Sequence, residues 1–477
     1  MPKLYFLPAH SILNMIHSQE ISAQEVMTNL LHRIEEINPR INALVQYNAE
    51  DLLLQAQEAD ERISNGKKIG PLCGLPITIK DNIEVKGMTT TAGIKGREEY
   101  VPAFDATVVQ RLKKAGAIIV GKTNCPAYCS GYETQNKIYG RTNNPYDLER
   151  TVGSSSGGEA ALIAAGGSYI GIGSDTGGSI RWPSSYCGIS SLVPTFGRVP
   201  RTGTIPPYLG FLDTTQIGPM ARSAKDLMLV LPIIMGPDNW DSRCVPMKDQ
   251  KVDEVDFEKS RIAYYADNGF VEADPEVRRV VSQAANLLGE KDIDLIHRYP
   301  DCTREFRELS SGLNRFAANI DKETEPKIDD WENPVELYPT KIFDSADKWL
   351  RKSQKARGEQ AMLGLEFFFW SIKWDTYRTK ILQFMDKHDA IICPVSAKPA
   401  FNHGDPNTHA FNGLELLSYT HPYSLVGLPA VTIRGGISSD GLPIGLQIIT
   451  GHAEERLAVR IGRHLEKETG GWKEPKI

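Results

Sequence analysis

Near the start of the chain apolar residues recur at helical spacing. Val26, Leu30, Leu31, Ile34 and Ile37 follow Ser22-x-x-Glu25, a capping box, and Pro39 is expected to end that helix. A second helix is predicted from about 48 to 64. The pattern then changes. LPITIKD (75–81), AIIVGKT (117–123) and SYIGIGSD (168–175) are short, almost continuous apolar runs, as in strands covered on both faces. Between them ATVVQRLKKAG (106–116) and residues 157–166 read as helices. Helices alternating with apolar strands predict an α/β chain with a mostly parallel sheet. Asp274-Pro275 offers an N-cap and an N1 proline to a helix with Val277, Val280, Val281, Ala284, Leu287 and Leu288 on one face. From about 300 to 388 the chain is charged, aromatic and mainly helical. DAIICPV (389–395), PAVTIRGG (429–436) and GLPIGLQII (441–449) bring strands back, and a last helix covers about 453–468.

Composition narrows the class without naming it. A chain of 477 residues with 41% hydrophobic and 24% charged residues can bury an extensive core. Its net charge of −6 argues against a nucleic-acid partner. Seven scattered cysteines, an odd number, form no disulfide framework. Cys125-x-x-x-Cys129 has no second pair to complete a zinc site, so no metal or cofactor is expected. MPKLYFLPAHSIL lacks the charged and long apolar regions of a signal peptide, and LMLVLPIIM (227–235) is too short to span a membrane. The expected setting is cytoplasmic, and the expected state a monomer or homodimer.

The stretch TVGSSSGGEAALIAAGG (151–167) carries the first chemistry. Gly153-x-Ser155-x-Gly157 matches a nucleophile elbow, and histidines from His297 onward stand in the right chain order to serve it. But an elbow serine follows a hydrophobic strand, and NNPYDLERTVG is polar and turn-rich. A second serine, in GSDTGGSIRWPSSYCG (173–188), follows a strand directly. Its paired glycines allow a sharp turn whose N–H groups, on Thr176, Gly177, Gly178 and Ser179, offer an oxyanion hole.

The run GSSSGGEAALIAAGGSYIGIGSDTGGSIRWPSSYCG resembles the signature of the amidase signature family of serine hydrolases. Lys80 stands 75 residues before Ser155, and Ser155 stands 24 before Ser179, the spacing of that family's Lys–Ser–Ser triad. Related motifs run over about 65–235 and return over 389–465. The resemblance implies one amidase domain over 1–477, with N-terminal helices at about 1–65 and a variable helical pocket region at about 300–388. It implies a large mixed sheet covered by helices on both faces. It also assigns roles: Ser179 attacks, Ser155 relays the proton across a cis Ser154–Ser155 bond, and Lys80 is the base. An ordinary lysine is protonated near pH 7 until burial disfavours the ammonium, and Lys80 closes an apolar run. Asp175 and Arg181 are implied to brace the loops, with Ser154 and Ser156 in support. Val152, Ser154 and Val193 depart from the family pattern; the three triad positions do not.

The substrate is less legible. The expected lining includes Cys129, Ser130 and Gly131 from CPAYCSGY, and Phe368 and Trp370 from FFFWSIKW, although such an aromatic stretch is more often simply core. The expected substrate is a small apolar acyl or aryl amide. A carbamate or an ester presents the same carbonyl. Two further readings stay open: the glutamine-hydrolysing chain of a tRNA-dependent amidotransferase, and a non-catalytic interaction protein within a larger assembly. The glutamine-hydrolysing chain carries an acidic residue before its GLP motif to hold the substrate's amino group; here that position falls on Leu417.

Overall fold

A computed structural model describes residues 3–66, 69–206, 214–249, 255–291, 293–310, 357–405 and 416–477, the side chains of 357–367 excepted. The contacts divide the chain into two compact units, one of residues 1–299 and 385–477, the other of 300–384.

The larger unit is built on one sheet of eleven strands. The strands along the chain are β1 (Leu44–Gln46), β2 (Pro76–Lys80), β3 (Ile118–Thr123), then four short strands outside the main sheet, β4 (Gln135–Asn136), β5 (Gly140–Arg141), β6 (Asn143–Asn144) and β7 (Asp147–Thr151). They continue as β8 (Ile170–Asp175), β9 (Ser190–Val193), β10 (Gln216–Ala221), β11 (Arg261–Tyr264), β12 (Asp294–His297), β13 (Ala390–Pro394), β14 (Ala430–Ile437) and β15 (Pro443–Thr450). The main sheet runs β1-β3-β2-β8-β10-β9-β14-β15-β13-β11-β12. β2 pairs parallel with β3 and β8, and β11 with β12 and β13; the other pairs are antiparallel. The sheet is therefore mixed, as the family resemblance implies. The mostly parallel order read from the alternation of elements is corrected: strand direction follows from how connections cross the sheet, which apolar periodicity does not encode. Every residue of β2, β3, β8, β9, β10, β13 and β15 is buried. Strands with no exposed face need a layer on each side.

The helices follow their signals closely. Ser22 caps Ala23–Ile41, its hydroxyl accepting from Glu25 N–H at 2.9 Å. Pro39 does not end this helix. It sits in the last turn, and the stop comes at Asn42, which is left-handed with φ 49°. Asp274 caps Pro275–Gly289. Helix Ala9–His17 has no cap of its own; buried Asp226 accepts its Ala9 and His10 N–H groups. Asp147–Thr151, read as non-strand, is a polar strand of a separate hairpin. The objection to the elbow reading therefore rests on that strand's polarity and place outside the main sheet.

The smaller unit contains the helix Arg357–Met385 and a short 3-10 turn, Asp301–Glu305. Exposed ion pairs Lys380–Glu305 and Lys373–Glu308 tie the helix to the turn and to the residues just after it. Trp370, Trp374, Tyr377 and Ile381 form the buried stripe, whereas Phe368 is 63% exposed. Phe368 and Trp370 thus do not line one surface, because residues two apart on a helix point about 200° apart. Residues 311–356 lie outside the described residues. Among the described residues no helix is long and apolar enough to cross a membrane.

Candidate active site

Three parallel strands, β3, β2 and β8, end together, and their carboxyl ends build the site. Ligand crevices in α/β sheets form at such ends. β2 delivers Lys80 in register with Thr123 of β3, and β8 delivers Ser174 and Asp175. The GSSSGG segment crosses this edge before entering helix Gly157–Ala164. The backbones meet so closely there that a Cβ on Gly158 would lie 2.4 Å from Asn124 N. The Ser154–Ser155 bond is cis.

These elements bring Lys80 and Ser155 into contact and tie the loop of Ser179 to the segment of Ser155. Lys80 is fully buried, and Nζ lies 2.6 Å from Ser155 Oγ. Its other contacts are Ser174 Oγ at 2.9 Å and Ser174 O at 3.4 Å. Among the described residues no carboxylate pairs with Nζ. The buried carboxyl of Glu159 accepts from Thr78 Oγ1 at 2.6 Å, and burial pushes its pKa up to about 8. It therefore stays neutral near pH 7 and adds little negative charge beside Lys80. Lys122 on β3 is also fully buried; its Nζ donates to Ile83 O and Thr90 Oγ1, and burial pulls its pKa down to about 8. Ser156 N–H donates to Ser179 O at 2.9 Å, which ties the Ser155 segment to the Ser179 loop. Ser179 is partly exposed, where Ser155 is not.

Asp175 organises that loop. Its carboxylate accepts from Gly178 N at 2.8 Å and Ile180 N at 2.9 Å, and it pairs with Arg181 Nη2 at 2.9 Å. Burial works against this carboxylate, but the charge and hydrogen bonds of Arg181 and the backbone N–H groups outweigh it and hold its pKa below the ordinary range. Arg181 also donates to Thr420 O and Ser424 Oγ. One member of the expected oxyanion hole is corrected. Gly178 N–H is committed to Asp175, which leaves Thr176, Gly177 and Ser179, whose N–H groups have no acceptor among the described residues. Gly178 serves by conformation: its φ is +145°, and a Cβ there would lie 2.6 Å from Thr420 Oγ1.

Of the supporting serines, Ser156 Oγ bridges to Ser174. Ser154 Oγ is buried without a partner among the described residues, so Ser154 contributes backbone only. Cys129 is partly exposed, and Ser130 and Gly131 are exposed. The sequence reading missed Ser174, Thr420 and His421. Thr420 Oγ1 donates to Gly177 O at 2.5 Å. The ring of His421 lies against Gly177, and burial first, then Arg181, pushes its pKa down to about 4. Leu417 completes this wall, 3.6 Å from where a Cβ of Gly178 would stand. Among the described residues no group of three His, Cys, Asp or Glu side chains is placed to hold a metal.

The site thus sets a buried lysine against a buried serine, beside a loop that holds a second, partly exposed serine and is backed by His421. The chain belongs to the amidase signature family: the family model described as Amidase matches residues 25–459. It is 34% identical to the A-type subunit of the glutamyl-tRNA(Gln) amidotransferase of Caldanaerobacter subterraneus subsp. tengcongensis, over 98% of this chain and 97% of the relative. A 6-aminohexanoate cyclic dimer hydrolase solved with its substrate is 26% identical, with a TM-score of 0.83 over 99% of each chain. A fatty acid amide hydrolase, 23% identical with a TM-score of 0.81 over 98% of this chain and 87% of that one, shares the fold.

Proposed function

We propose that the chain hydrolyses a carboxamide through an acyl-enzyme on Ser179. The observation that carries this is the 2.6 Å contact between buried Lys80 and buried Ser155, beside a loop that presents Ser179. Lys80 takes the proton of Ser155 as Ser155 takes that of Ser179. Ser179 Oγ attacks the carbonyl carbon, and the oxyanion is received by N–H groups of Thr176, Gly177 and Ser179. The proton returns along the same path to the leaving nitrogen as the C–N bond breaks. Water, deprotonated by the same relay, then attacks the acyl ester and frees Ser179.

Two readings of the acyl donor follow. The relatives at 34% identity support glutamine better than a stand-alone apolar substrate: they are glutamyl-tRNA(Gln) amidotransferase subunits, matched over nearly their whole length. On that reading the chain works beside protein subunits and tRNA, and ammonia is passed on. One observation favours the second reading, a small apolar acyl or aryl amide cleaved by the chain alone. Leu417, at the position where resemblance expects an acidic residue, faces the nucleophile loop, and a leucine cannot pair with glutamine's ammonium. Measuring kcat/KM on glutamine, short and long acyl anilides and an aryl carbamate separates the readings. Turnover of glutamine, or none until partner subunits are added, supports the first. Turnover of the anilides or carbamate alone supports the second. Silence throughout, with no covalent labelling of Ser179, refutes both.

A further inference from the structure

The main sheet ends at β12, which pairs with β11 on its inner side and has no partner on its outer side among the described residues. The pairing is parallel and regular, from Arg261 with Asp294 to Tyr264 with His297, and Arg298 N–H donates to Tyr264 O at 3.0 Å. In such a ladder alternate residues point their backbone groups to the same neighbour. That bond therefore turns the N–H and C=O of Asp294, Ile296 and Arg298 toward β11 and those of Leu295 and His297 outward. Two donors and two acceptors stand open at the edge, a template for another strand.

The side chains decide which strand fits. Leu295 leans on helix Pro275–Gly289, its Cδ1 3.6 Å from where a Cβ of Gly289 would stand. Asp294, Ile296 and Arg298 project from the opposite face, by the alternation of a strand, and all three are exposed, Ile296 to 38%. Asp294 and Arg298 form no ion pair among the described residues; Arg261, beside Asp294 on β11, is already paired with Asp389 at 2.9 Å. Short, charged edge strands usually resist pairing. Here the two charges have opposite signs and stand equally far from Ile296. A copy laid parallel in register meets like charges, and an antiparallel copy centred on Ile296 meets opposite ones.

We propose that β12 is a self-association edge, where a second copy of this chain pairs antiparallel about Ile296 and joins the two eleven-stranded sheets into one. In that register Leu295 of each copy faces His297 of the other, so every outward N–H and C=O of the strand is bonded. Asp294 of each copy lies opposite Arg298 of the other, and the two Ile296 side chains meet at the axis. Moving the axis to Leu295 or His297 keeps the hydrogen-bond alternation but parts the charges. The contact is small, below the about 1,200 Å² of a stable specific interface, so the dimer forms and dissociates with concentration. Its ion pairs are exposed and weaken in salt. No part of this rests on the hydrolase reading.

The test is sedimentation velocity of the reduced full-length protein over a wide range of concentration, with amide hydrogen exchange followed along β12. A monomer–dimer equilibrium is expected, and exchange should slow more at Leu295 and His297 than at Ile296 as the dimer forms. Asp294→Arg and Arg298→Asp each set like charges opposite one another at both ends of the axis, and each is expected to raise the dimer dissociation constant at least tenfold. An equimolar mixture of these two variants is expected to bring association back to within threefold of wild type, because every pair across a mixed axis is again of opposite sign. Asp294→Asn and Arg298→Gln, each expected to weaken the dimer about threefold, keep the test open if a reversed charge beside Arg261 perturbs folding. A protein that stays monomeric throughout overturns the proposal. So does a dimer that all four variants leave unchanged, or two folded charge-reversed variants whose mixture fails to associate.

Discussion

Asp175→Asn isolates the charge that holds the nucleophile loop. The Asp175 carboxylate accepts five N–H groups: Gly178 at 2.8 Å, Ile180 at 2.9 Å, and Arg181 through its backbone at 3.3 Å, Nε at 3.1 Å and Nη2 at 2.9 Å. Both side chains are essentially shut off from water. The amide keeps the shape, removes the negative charge, and turns two N–H donors toward groups that are themselves donors. Leaving one partner of a buried pair uncompensated costs about 3–5 kcal/mol. That is a large share of the roughly 5–15 kcal/mol that stabilises a native protein. With an unfolding entropy near 2.1 cal/mol/K per residue, a chain this long melting as one unit loses about 3–5 °C in Tm. Activity is expected to fall further than stability, because the loop carrying Ser179 loses its anchor; a misplacement of about 1 Å costs on the order of 100-fold. The pH dependence has a fixed sign. A carboxylate held below its ordinary pKa of 3.8 stabilises the fold above that value and stops doing so as pH falls through the lower one. The gap in Tm between wild type and variant should therefore close in acid. Calorimetry at pH 7 and pH 3, with kcat/KM on one chromogenic amide, makes the measurement. A Tm within 1 °C and kcat/KM within twofold of wild type at pH 7 would refute the reasoning.

Three further outcomes follow from the same geometry. Lys80→Ala is expected to lose about 100- to 10,000-fold in kcat/KM near pH 7 and to regain part of it at high pH as hydroxide replaces the base; a pH–rate profile decides, and unchanged turnover removes Lys80 from the relay. Glu159, with its pKa raised from 4.5 to about 8 by burial, should make the fold lose stability as pH rises from about 4.5 to 8, by up to a few kcal/mol. Glu159→Gln should flatten that slope, visible as a smaller drop in Tm between pH 5 and pH 9 than in wild type. Gly178→Ala would set a Cβ 2.6 Å from Thr420 Oγ1 at a φ of +145°, so kcat/KM should fall at least tenfold; wild-type kinetics in that variant would mean the loop adapts.

Of the residues that spacing singles out, Lys80 meets Ser155, and Ser179 lies in the loop that Ser156 ties down; Lys80 closes and Ser179 follows a short run readable as a buried strand. Ser174 escaped notice: one polar residue at the end of an apolar strand has no pattern of its own, and its role comes only from lying across from Lys80. Thr420, His421 and Ser424 were illegible for another reason. They come from a segment some 240 residues downstream, and no local periodicity says that it folds under the Gly177–Gly178 turn. The strands RIAY and DLIH at the sheet's far edge are four residues long, too short to show a period. Asp147–Thr151 is polar because it pairs only with Asn143–Asn144, outside the main sheet. FFFWSIKW looked uniformly aromatic, yet helical geometry divides it, with Trp370 and Trp374 inward and Phe368 and Phe369 outward.

The central claim, that Ser179 is the nucleophile and Ser155 its relay, is tested most directly by covalent labelling. The reduced protein, Ser179→Ala and Ser155→Ala are treated with an aryl sulfonyl fluoride, and the adduct is located by peptide mass. One adduct per chain on Ser179 in the wild type, none in Ser179→Ala, and a much slower one in Ser155→Ala is the predicted result. An adduct on Ser155, or equal labelling of wild type and Ser179→Ala, would contradict it.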